Sequence, residues 1–192
     1  MSNKVTLIPL CAQYSDWVLA CRNQARVREN SINERVITLD EHMKFLAELK
    51  KDDNQRYFVV HVGDKPVGVL SFTGLDTCHP TWGCYLSQDS LIPGLFAVLI
   101  SVSADIAFEK FKLPILYSDV IAHNRQPQQM NTWLGIPLIG KRQILRQDGT
   151  LVEVLEYQLE SHAWLDIKKT MMDKLPSSVR ILANSYSIEC WV

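Results

Sequence analysis

The chain has almost no net charge, because its 192 residues carry 20 Lys and Arg against 21 Asp and Glu. A near-neutral protein lacks the long-range field that draws nucleic acid to a surface, so a nucleic-acid-coating role is not expected. The length is that of one domain with at most a short extension. An apolar share of 47% and a charged share of 21% exclude a disordered or collagen-like chain.

The sequence also lacks a disulfide or metal-binding pattern. Its five cysteines are odd in number, no two are spaced C-x-x-C, and no compact set of Cys and His occurs. Neither a structural zinc site nor a secreted disulfide framework is therefore expected. We interpret the thiols as reduced packing residues of a cytoplasmic protein. They are Cys11, Cys21, Cys78, Cys84 and Cys190.

No run is long and apolar enough to suggest a membrane segment. The N-terminal apolar stretch 7–10 is too short for the core of a signal peptide. The most apolar stretch, 91–108, is interrupted by Pro93, Gly94 and Asp105, whereas a span needs roughly 20 mainly apolar residues. We interpret it as a helix buried in a soluble core.

Strand and helix patterns alternate along the first 160 residues, in the order β-α-α-β-β-β-α-β-α-β-β. Thr38 and Glu41 have the spacing of a capping box, which predicts the start of the second helix. Mixed strands with helices between them predict an α/β or α+β layered sheet. The predicted strands are 4–10, 56–62, 67–73, 81–86, 113–121, 136–146 and 151–159, and the predicted helices other than the second are 15–28, 94–111 and 126–134.

The last part of the chain is predicted to be an appendage to this domain. We place the boundary between a domain of residues 1–160 and an extension of residues 161–192. A helix is predicted over 164–175. The apolar run 179–192 after it would add an edge strand or cover a partner surface.

The order of elements resembles that of the GNAT superfamily of acetyl-CoA-dependent N-acetyltransferases. Four short segments resemble, more narrowly, the branch that acetylates the 4-amino group of a UDP-linked amino sugar in pseudaminic acid synthesis. They are CRN at 21–23, DEHMKFL at 40–46, WGCY at 82–85 and AFE at 107–109, and the likeness covers residues 5–160. The resemblance implies a GNAT-like fold with a mixed, mostly antiparallel twisted sheet, acetyl-CoA as co-substrate and a small primary amine as acceptor.

The first GNAT motif is a glycine-rich turn that presents backbone amides to the CoA pyrophosphate at a helix N-terminus. It usually reads Q/R-x-x-G-x-G/A, and the matching residues 91–96 read LIPGLF. Gly94 takes the place of the first glycine and Phe96 that of the second. The alternative is a turn that merely starts a buried helix. The cofactor-binding residues implied by the resemblance are Leu86, Ser87, Pro93, Gly94, Leu95, Phe96 and Asn124.

The second GNAT motif usually reads N-x-x-A-x-x-x-Y-x-x-x-G-F, and residues 124–136 read NRQPQQMNTWLGI. Asn124 and Gly135 stand in register with it. Asn131 takes the place of the tyrosine that often protonates the departing CoA thiolate. An amide can hydrogen-bond a thiolate but cannot deliver a proton. Water or another side chain must then supply it, or the protein is a weak or inactive member.

Acetyl transfer needs a neutral amine, a stabilised oxyanion and a proton for the leaving thiolate. The resemblance places the oxyanion donor on the backbone of the strand 82–87. His79, just before this strand, is predicted to accept the amine proton, and Tyr85 to contact the substrate. The ordinary alternatives are an inert loop histidine and a packed aromatic ring.

The acceptor site is implied to lie under the first two helices, which cover it in GNAT folds. Arg22, Asn23 and His42 lie on these helices and are predicted to bind the acceptor. The alternatives are a solvated helix charge for Arg22 and a residue of the first helical turn for His42.

Three functions are compatible with the sequence. The first is an N-acetyltransferase in which the amine, on a nucleotide-linked amino sugar as first choice, attacks the thioester directly. The second keeps the fold but acetylates a protein N-terminus or a polyamine. The third is a GNAT-like binding or assembly module without turnover, favoured by Phe96 and Asn131. The expected partner is a small-molecule amine, without nucleic acid, membrane or metal, and a homodimer stays open.

Overall fold

The computed structural model describes residues 4–89 and 92–189, so Leu91 of the predicted turn and Cys190 lie outside the described residues. The strands are β1 Val5–Pro9, β2 Gln55–Val62, β3 Lys65–Thr73, β4 Thr81–Leu86, β5 Ile115–Ile121, β6 Leu138–Leu145, β7 Leu151–Glu160 and β8 Tyr186–Ile188. The α-helices are α1 Ser15–Arg22, α2 Ala25–Glu29, α3 Leu39–Leu49, α4 Leu95–Asp105, α5 Arg125–Leu134, α6 Ser161–Lys174 and α7 Ser177–Asn184.

The described strands form one mixed sheet in the order β6-β7-β5-β4-β3-β2-β1-β8. The β1–β8 and β4–β5 pairs are parallel, and the other neighbours are antiparallel. Between β4 and β5 the register contains a single pair, Thr81 with Tyr117. Beyond that pair the two strands diverge, so the sheet splits into a β1–β4 half and a β5–β7 half. The predicted mixed, mostly antiparallel sheet flanked by helices is confirmed.

Helix α4 is the centre of the core, because it is buried around almost its whole circumference and most of its residues are apolar. Leu95 and residues 97–107 are all buried. Val98 and Val102 pack into the cluster under β1–β3, whereas Ile100 and Ala104 pack into the cluster under β5 and β7. The predicted buried helix is present from Leu95, and it continues after Asp105 as a π-helix over Ile106–Lys110. None of the helices in the described ranges is long and apolar enough to span a membrane.

The single helix predicted over 15–28 is wrong, because the chain breaks it into α1 and α2 at Asn23 and Gln24. The Asn23 amide donates to the Ile37 carbonyl at 2.9 Å and accepts from the Ile37 N–H at 2.8 Å. Gln24 then adopts an extended ψ of 136°. A contact with a residue 14 positions away therefore overrides the local helical pattern.

The predicted capping box at the start of α3 is confirmed. The Glu41 N–H donates to the Thr38 hydroxyl at 3.3 Å, and the Thr38 N–H donates to the Glu41 carboxylate at 2.8 Å. Two backbone donors at the helix end, which have no helical partner, are satisfied in this way.

The segment after residue 160 folds against the same core. Val179, Leu182 and Ala183 of α7 belong to the buried cluster that also contains the start of α4. The chain then pairs Tyr186–Ile188 in parallel with β1, so the predicted edge strand is present, although α7 occupies the first part of the apolar run. The division at residue 160 itself stays a prediction.

Candidate active site

The divergence of β4 from β5 leaves backbone groups of β4 directed into a gap. The Ser87 N–H donates to the Val67 carbonyl at 2.9 Å, which sets the alternation of hydrogen-bonding direction along the β3–β4 pair. Cys84 and Leu86 therefore point their amides away from β3, toward the side where β5 has left. Such amides can hold an extended ligand or a developing oxyanion.

A cavity of about 420 Å³ fills this gap, and we call it the central cavity. Four of the predicted site residues line it together, namely Tyr85, Phe96, Asn124 and Asn131. Asn131 is only 4% exposed, so it faces the interior rather than solvent. The place of the usual tyrosine is thus inside the site, as the resemblance implies.

Two further cavities, of about 150 and 380 Å³, continue from the central cavity to the start of α4, and we call them together the α4 groove. The six predicted cofactor-binding residues from β4 and the α4 turn all line it. They are Leu86, Ser87, Pro93, Gly94, Leu95 and Phe96. The structure therefore gathers this predicted set along one path.

Backbone conformation and close packing both favour glycine at position 94. Its φ of +79° is the left-handed region that glycine adopts without strain, and a Cβ there would lie 2.7 Å from the Val179 side chain of α7. The close neighbour at this position is thus another helix. Residues 93–97 at the start of α4 still line the groove.

Phe96 forms a wall shared by the central cavity and the α4 groove. Its ring stacks on Trp82 of β4 with centroids 6.4 Å apart and an interplanar angle of 29°. Phe96 takes the place of the second glycine of the motif, and its side chain is packed against the sheet. It narrows the passage between the α4 groove and the central cavity.

A fourth cavity, of about 390 Å³, lies under α1 and α3, and we call it the α3 cavity. Arg22 and His42 line it, as predicted for an acceptor site. Tyr57, Ser71 and Tyr85 line both this cavity and the central one. The two cavities are therefore adjacent, with these three side chains as their common wall.

Arg22 brings an incompletely satisfied cation to the α3 cavity. Its Nη2 donates to the Asn33 carbonyl at 2.6 Å, whereas its Nη1 is buried without a partner in the described structure. Burial lowers the pKa of the guanidinium from its ordinary value, without making it neutral at physiological pH. A buried N–H of this kind favours a ligand that brings an acceptor or an anion.

His42 is 5% exposed and lines the same cavity. Its Nε2 is buried and has no hydrogen-bond partner among the described residues. Burial lowers the pKa of the imidazole, and a hydrogen bond to the Ser15 backbone and the Asp16 charge oppose this shift only in part. The ring is therefore neutral at pH 7.

Two predicted residues lie away from the four cavities. Both functional groups of the Asn23 side chain are used by the Ile37 backbone. His79 stacks on Tyr117 with centroids 3.8 Å apart, and its Nε2 lies 3.1 Å from a Glu156 carboxylate oxygen. Neither residue lines a cavity described above.

Tyr57 and Ser71, which the sequence did not predict as site residues, complete the wall between the central and α3 cavities. Their local pattern is that of ordinary strand residues. Their register pairs Tyr57 with Ser71 and Ser71 with Gly83, which aligns them across three strands beside Tyr85. Only strand pairing reveals this alignment, since the residues are far apart in sequence.

The loop after α2 was also missed as part of the site. Asn30 and Ser31 line the central cavity and the α4 groove. Arg146 of the β6–β7 turn holds the loop by donating to the carbonyls of Glu29 at 2.9 Å and Ser31 at 2.7 Å. This contact ties the β6–β7 turn to the loop after α2.

The thiols at the site are poor nucleophiles. Burial raises the pKa of Cys84, in the central cavity, to about 12 and that of Cys21 to about 11. Because the thiolate is the nucleophile, these cysteines stay unreactive at neutral pH. Among residues 4–89 and 92–189, no group of three or more His, Cys, Asp or Glu is arranged to hold a metal ion.

No family model matches the chain. Among curated proteins, Acetyltransferase PseH of Campylobacter jejuni strain 81-176 is 26% identical over 117 residues, which cover 61% of this chain and 73% of that protein. Acetyltransferase PseH of strain NCTC 11168 is 30% identical over 90 residues, 47% of this chain and 56% of that protein.

Among solved structures, spermidine N-acetyltransferase from Vibrio cholerae in complex with CoA and spermine superposes with a TM-score of 0.75. It is 17% identical, and the match covers 84% of this chain and 98% of that one. At this identity the likeness shows the fold, and the sequence similarity to PseH adds the class of enzyme. The chain is thus an N-acetyltransferase with the GNAT fold, as its sequence predicted.

Proposed function

We propose that the chain transfers the acetyl group of acetyl-CoA to the primary amine of a small, anionic acceptor, with a UDP-linked 4-amino sugar as first candidate. The observation that carries this proposal is the wall of Tyr57, Ser71 and Tyr85 shared by the central and α3 cavities. Two cavities that meet at one wall bring two substrates together without a covalent enzyme intermediate.

Acetyl-CoA fits the path formed by the α4 groove and the central cavity. The start of α4 suits the pyrophosphate, since the positive end of the helix dipole lies there and the N–H groups of Phe96 and Ala97 precede the first helical hydrogen bond, from Val98 to Gly94. The β4 amides of Cys84 and Leu86 suit the pantetheine and the thioester oxygen. The CoA that accompanies the Vibrio cholerae enzyme in its structure supports this choice of co-substrate.

Direct attack of the amine on the thioester is the mechanism that this geometry supports. The buried thiols argue against an acetyl-cysteine intermediate. Burial raises the pKa of both Tyr57 and Tyr85, so these phenols keep their protons and can hydrogen-bond the departing sulfur. Asn131 can add a further hydrogen bond but no proton.

The acceptor is proposed to be anionic because of Arg22. A polyamine in the α3 cavity would place ammonium groups beside a buried guanidinium, whereas the phosphates of a sugar nucleotide would satisfy its free Nη1. The two relatives named PseH support the same choice, since the resemblance from sequence pointed to the amino-sugar branch.

The first test is calorimetric titration of the purified protein with acetyl-CoA, in parallel with desulfo-CoA. Micromolar binding is expected, and its absence at millimolar acetyl-CoA would overturn the proposal. Thiol release is then followed with a UDP-linked 4-amino sugar, spermidine and a peptide N-terminus. The sugar nucleotide is expected to react fastest, and faster reaction of spermidine would contradict the anionic acceptor.

A second candidate is a catalytically weak enzyme that binds acetyl-CoA but uses it slowly. Phe96, which narrows the path, and Asn131, which cannot protonate a thiolate, favour it. Micromolar binding of acetyl-CoA together with slow thiol release from every acceptor of the panel would support this second candidate.

A further inference from the structure

We propose that His42 accepts the proton that the acceptor ammonium must lose before its nitrogen attacks the thioester. This assignment rests on the proposed function and deepens it, because it names the base of the reaction. The sequence had placed His42 among residues that only bind the acceptor and had given the proton transfer to His79.

The position of the imidazole is the first argument. His42 lines the α3 cavity, it is 95% buried, and its Nε2 is buried without a partner in the described structure. In a neutral imidazole one ring nitrogen accepts a hydrogen bond, and the unpartnered Nε2 of His42 is available for that role.

The second argument is that the carboxylates lining the two cavities are already paired. Asp119, in the central cavity, forms a two-point ion pair with Arg142. Glu41, in the α3 cavity, accepts from the Thr38 backbone and hydroxyl and from Arg35. These bonds lower the pKa of Glu41, which makes its carboxylate a weak base.

The predicted base His79 does not compete for this role. Its ring is stacked on Tyr117 and paired with Glu156, and it lines neither of the two cavities in which the substrates would meet. Of the titratable side chains that line them, His42 alone is a neutral nitrogen base without a partner at its accepting atom.

The groups facing His42 set the pH at which it acts. Asp16 of α1 raises its pKa, Arg22 and Glu41 line the same cavity with opposite charges, and Tyr57 and Tyr85 stay neutral. Burial is the largest effect and holds the pKa of the imidazole below its ordinary value of 6.5. The basic form therefore predominates at neutral pH.

The proton balance of the reaction is complete without another reagent. An ammonium proton passes to His42 Nε2, and the neutral nitrogen forms a bond to the acetyl carbon. The tetrahedral adduct then breaks its carbon–sulfur bond. The second nitrogen proton is lost to the departing thiolate, by way of solvent or a phenol at the shared wall. Amide and free CoA are the products, and His42 returns its proton to solvent.

The test is the pH dependence of kcat/KM for His42→Gln against the wild type, with acetyl-CoA saturating and the fastest acceptor of the panel. At about pH 7 we expect a loss of about 100-fold or more. The loss should shrink to less than about tenfold near pH 9.5, because solvent then deprotonates the acceptor. The acid limb of the wild-type profile, where the imidazole becomes charged, should be absent in the variant.

A second measurement separates proton transfer from packing. Ethylamine and trifluoroethylamine have nearly the same size, but the latter is a weak base and needs no proton acceptor at neutral pH. His42→Gln should lower the rate with ethylamine much more than the rate with trifluoroethylamine. An equal loss with both amines would overturn the proposal.

His61 offers a matched control. It also has a buried Nε2 without a partner in the described structure and a pKa lowered by burial, but it lies on β2 against Tyr14, outside the four cavities. His61→Gln is expected to keep the wild-type pH profile. Acetyl-CoA binding by calorimetry should be unchanged in both variants.

The outcomes distinguish the two proposals. A wild type that releases no thiol with any acceptor contradicts the proposed function. An active wild type whose His42→Gln variant shows a pH-independent loss, or only a higher KM for the acceptor, contradicts the assignment of His42 alone.

Discussion

The α4 groove and the α3 cavity recognise their ligands in different ways. Apart from Arg26, the groove is lined by uncharged residues, and its end at α4 is formed mainly by residues 86–87 and 92–97. The α3 cavity is lined by charged and aromatic side chains from α1, α3 and three strands, among them Arg22, Glu41 and His42. Backbone donors exist whatever the side chains are, so a CoA site tolerates a degenerate motif, whereas the acceptor site depends on residue identity.

The largest effect is a loss of stability, and it is expected for a substitution of Gly94. The Cβ position of this residue lies against Val179 of α7. Gly94→Ala should lower the free energy of unfolding by about 2–4 kcal/mol, since left-handed strain adds to a clash with Val179. Gly135→Ala is the control, because Gly135 has a φ of +70° but no atom within 4 Å of its Cβ position. It should lose about 1–2 kcal/mol in denaturant unfolding.

Combining Val179→Ala with Gly94→Ala tests the contribution of the clash separately from that of the backbone strain. Removal of the γ-methyl groups relieves the clash, so Gly94→Ala should be less destabilising in that background than in the wild type. If Gly94→Ala and Gly135→Ala are equally destabilising, backbone conformation alone explains Gly94.

Two arginine variants, one in the α3 cavity and one in the α4 groove, compare ligand recognition in the two regions. Arg22→Met should raise the KM of the anionic acceptor by about 10- to 100-fold, because a buried charged hydrogen bond is lost, and should leave acetyl-CoA binding unchanged. Arg26 is exposed and lines the α4 groove. Arg26→Met should weaken acetyl-CoA by about threefold without changing the acceptor KM.

Steady-state kinetics and calorimetry on both variants read out this comparison. If Arg22→Met weakens acetyl-CoA as much as it weakens the acceptor, the two regions do not bind different substrates. Arg22 also holds the Asn33 carbonyl, so circular dichroism of the variant must match that of the wild type.

The smallest effect is expected at Asn131, inside the central cavity. Asn131→Tyr should raise kcat several-fold, because a phenol can donate the proton that the amide cannot. Asn131→Phe supplies the ring without the hydroxyl and should give no gain. An unchanged kcat for Asn131→Tyr would mean that the proton comes from elsewhere.

Local patterns predicted the elements around the site well. The capping box of α3 needs only residues 38–41, and alternating strands such as Thr81–Leu86 were located from their own residues. Four of the predicted cofactor-binding residues, 93–96, are consecutive at the start of α4, so chain connectivity alone brings these four together.

Contacts distant in sequence explain what was missed. The break after Asn23 depends on Ile37, and the position of His79 depends on Tyr117 and Glu156. Tyr57 belongs to the wall between the cavities only because strand register aligns it with Ser71. The local sequence pattern around Asn23, His79 or Tyr57 does not reveal these distant partners.

The amino-acid sequence by itself determined the order of strands and helices, the cap of α3, the buried nature of α4 and the resemblance to GNAT acetyltransferases. These features depend on periodicity and on residues close together in the chain. Only the tertiary structure decided that Tyr57, Ser71 and Tyr85 line two adjacent cavities and that the Nε2 of His42 is buried without a partner in the described structure. Strand register and burial set these properties, because they depend on which distant side chains take up each hydrogen-bonding group.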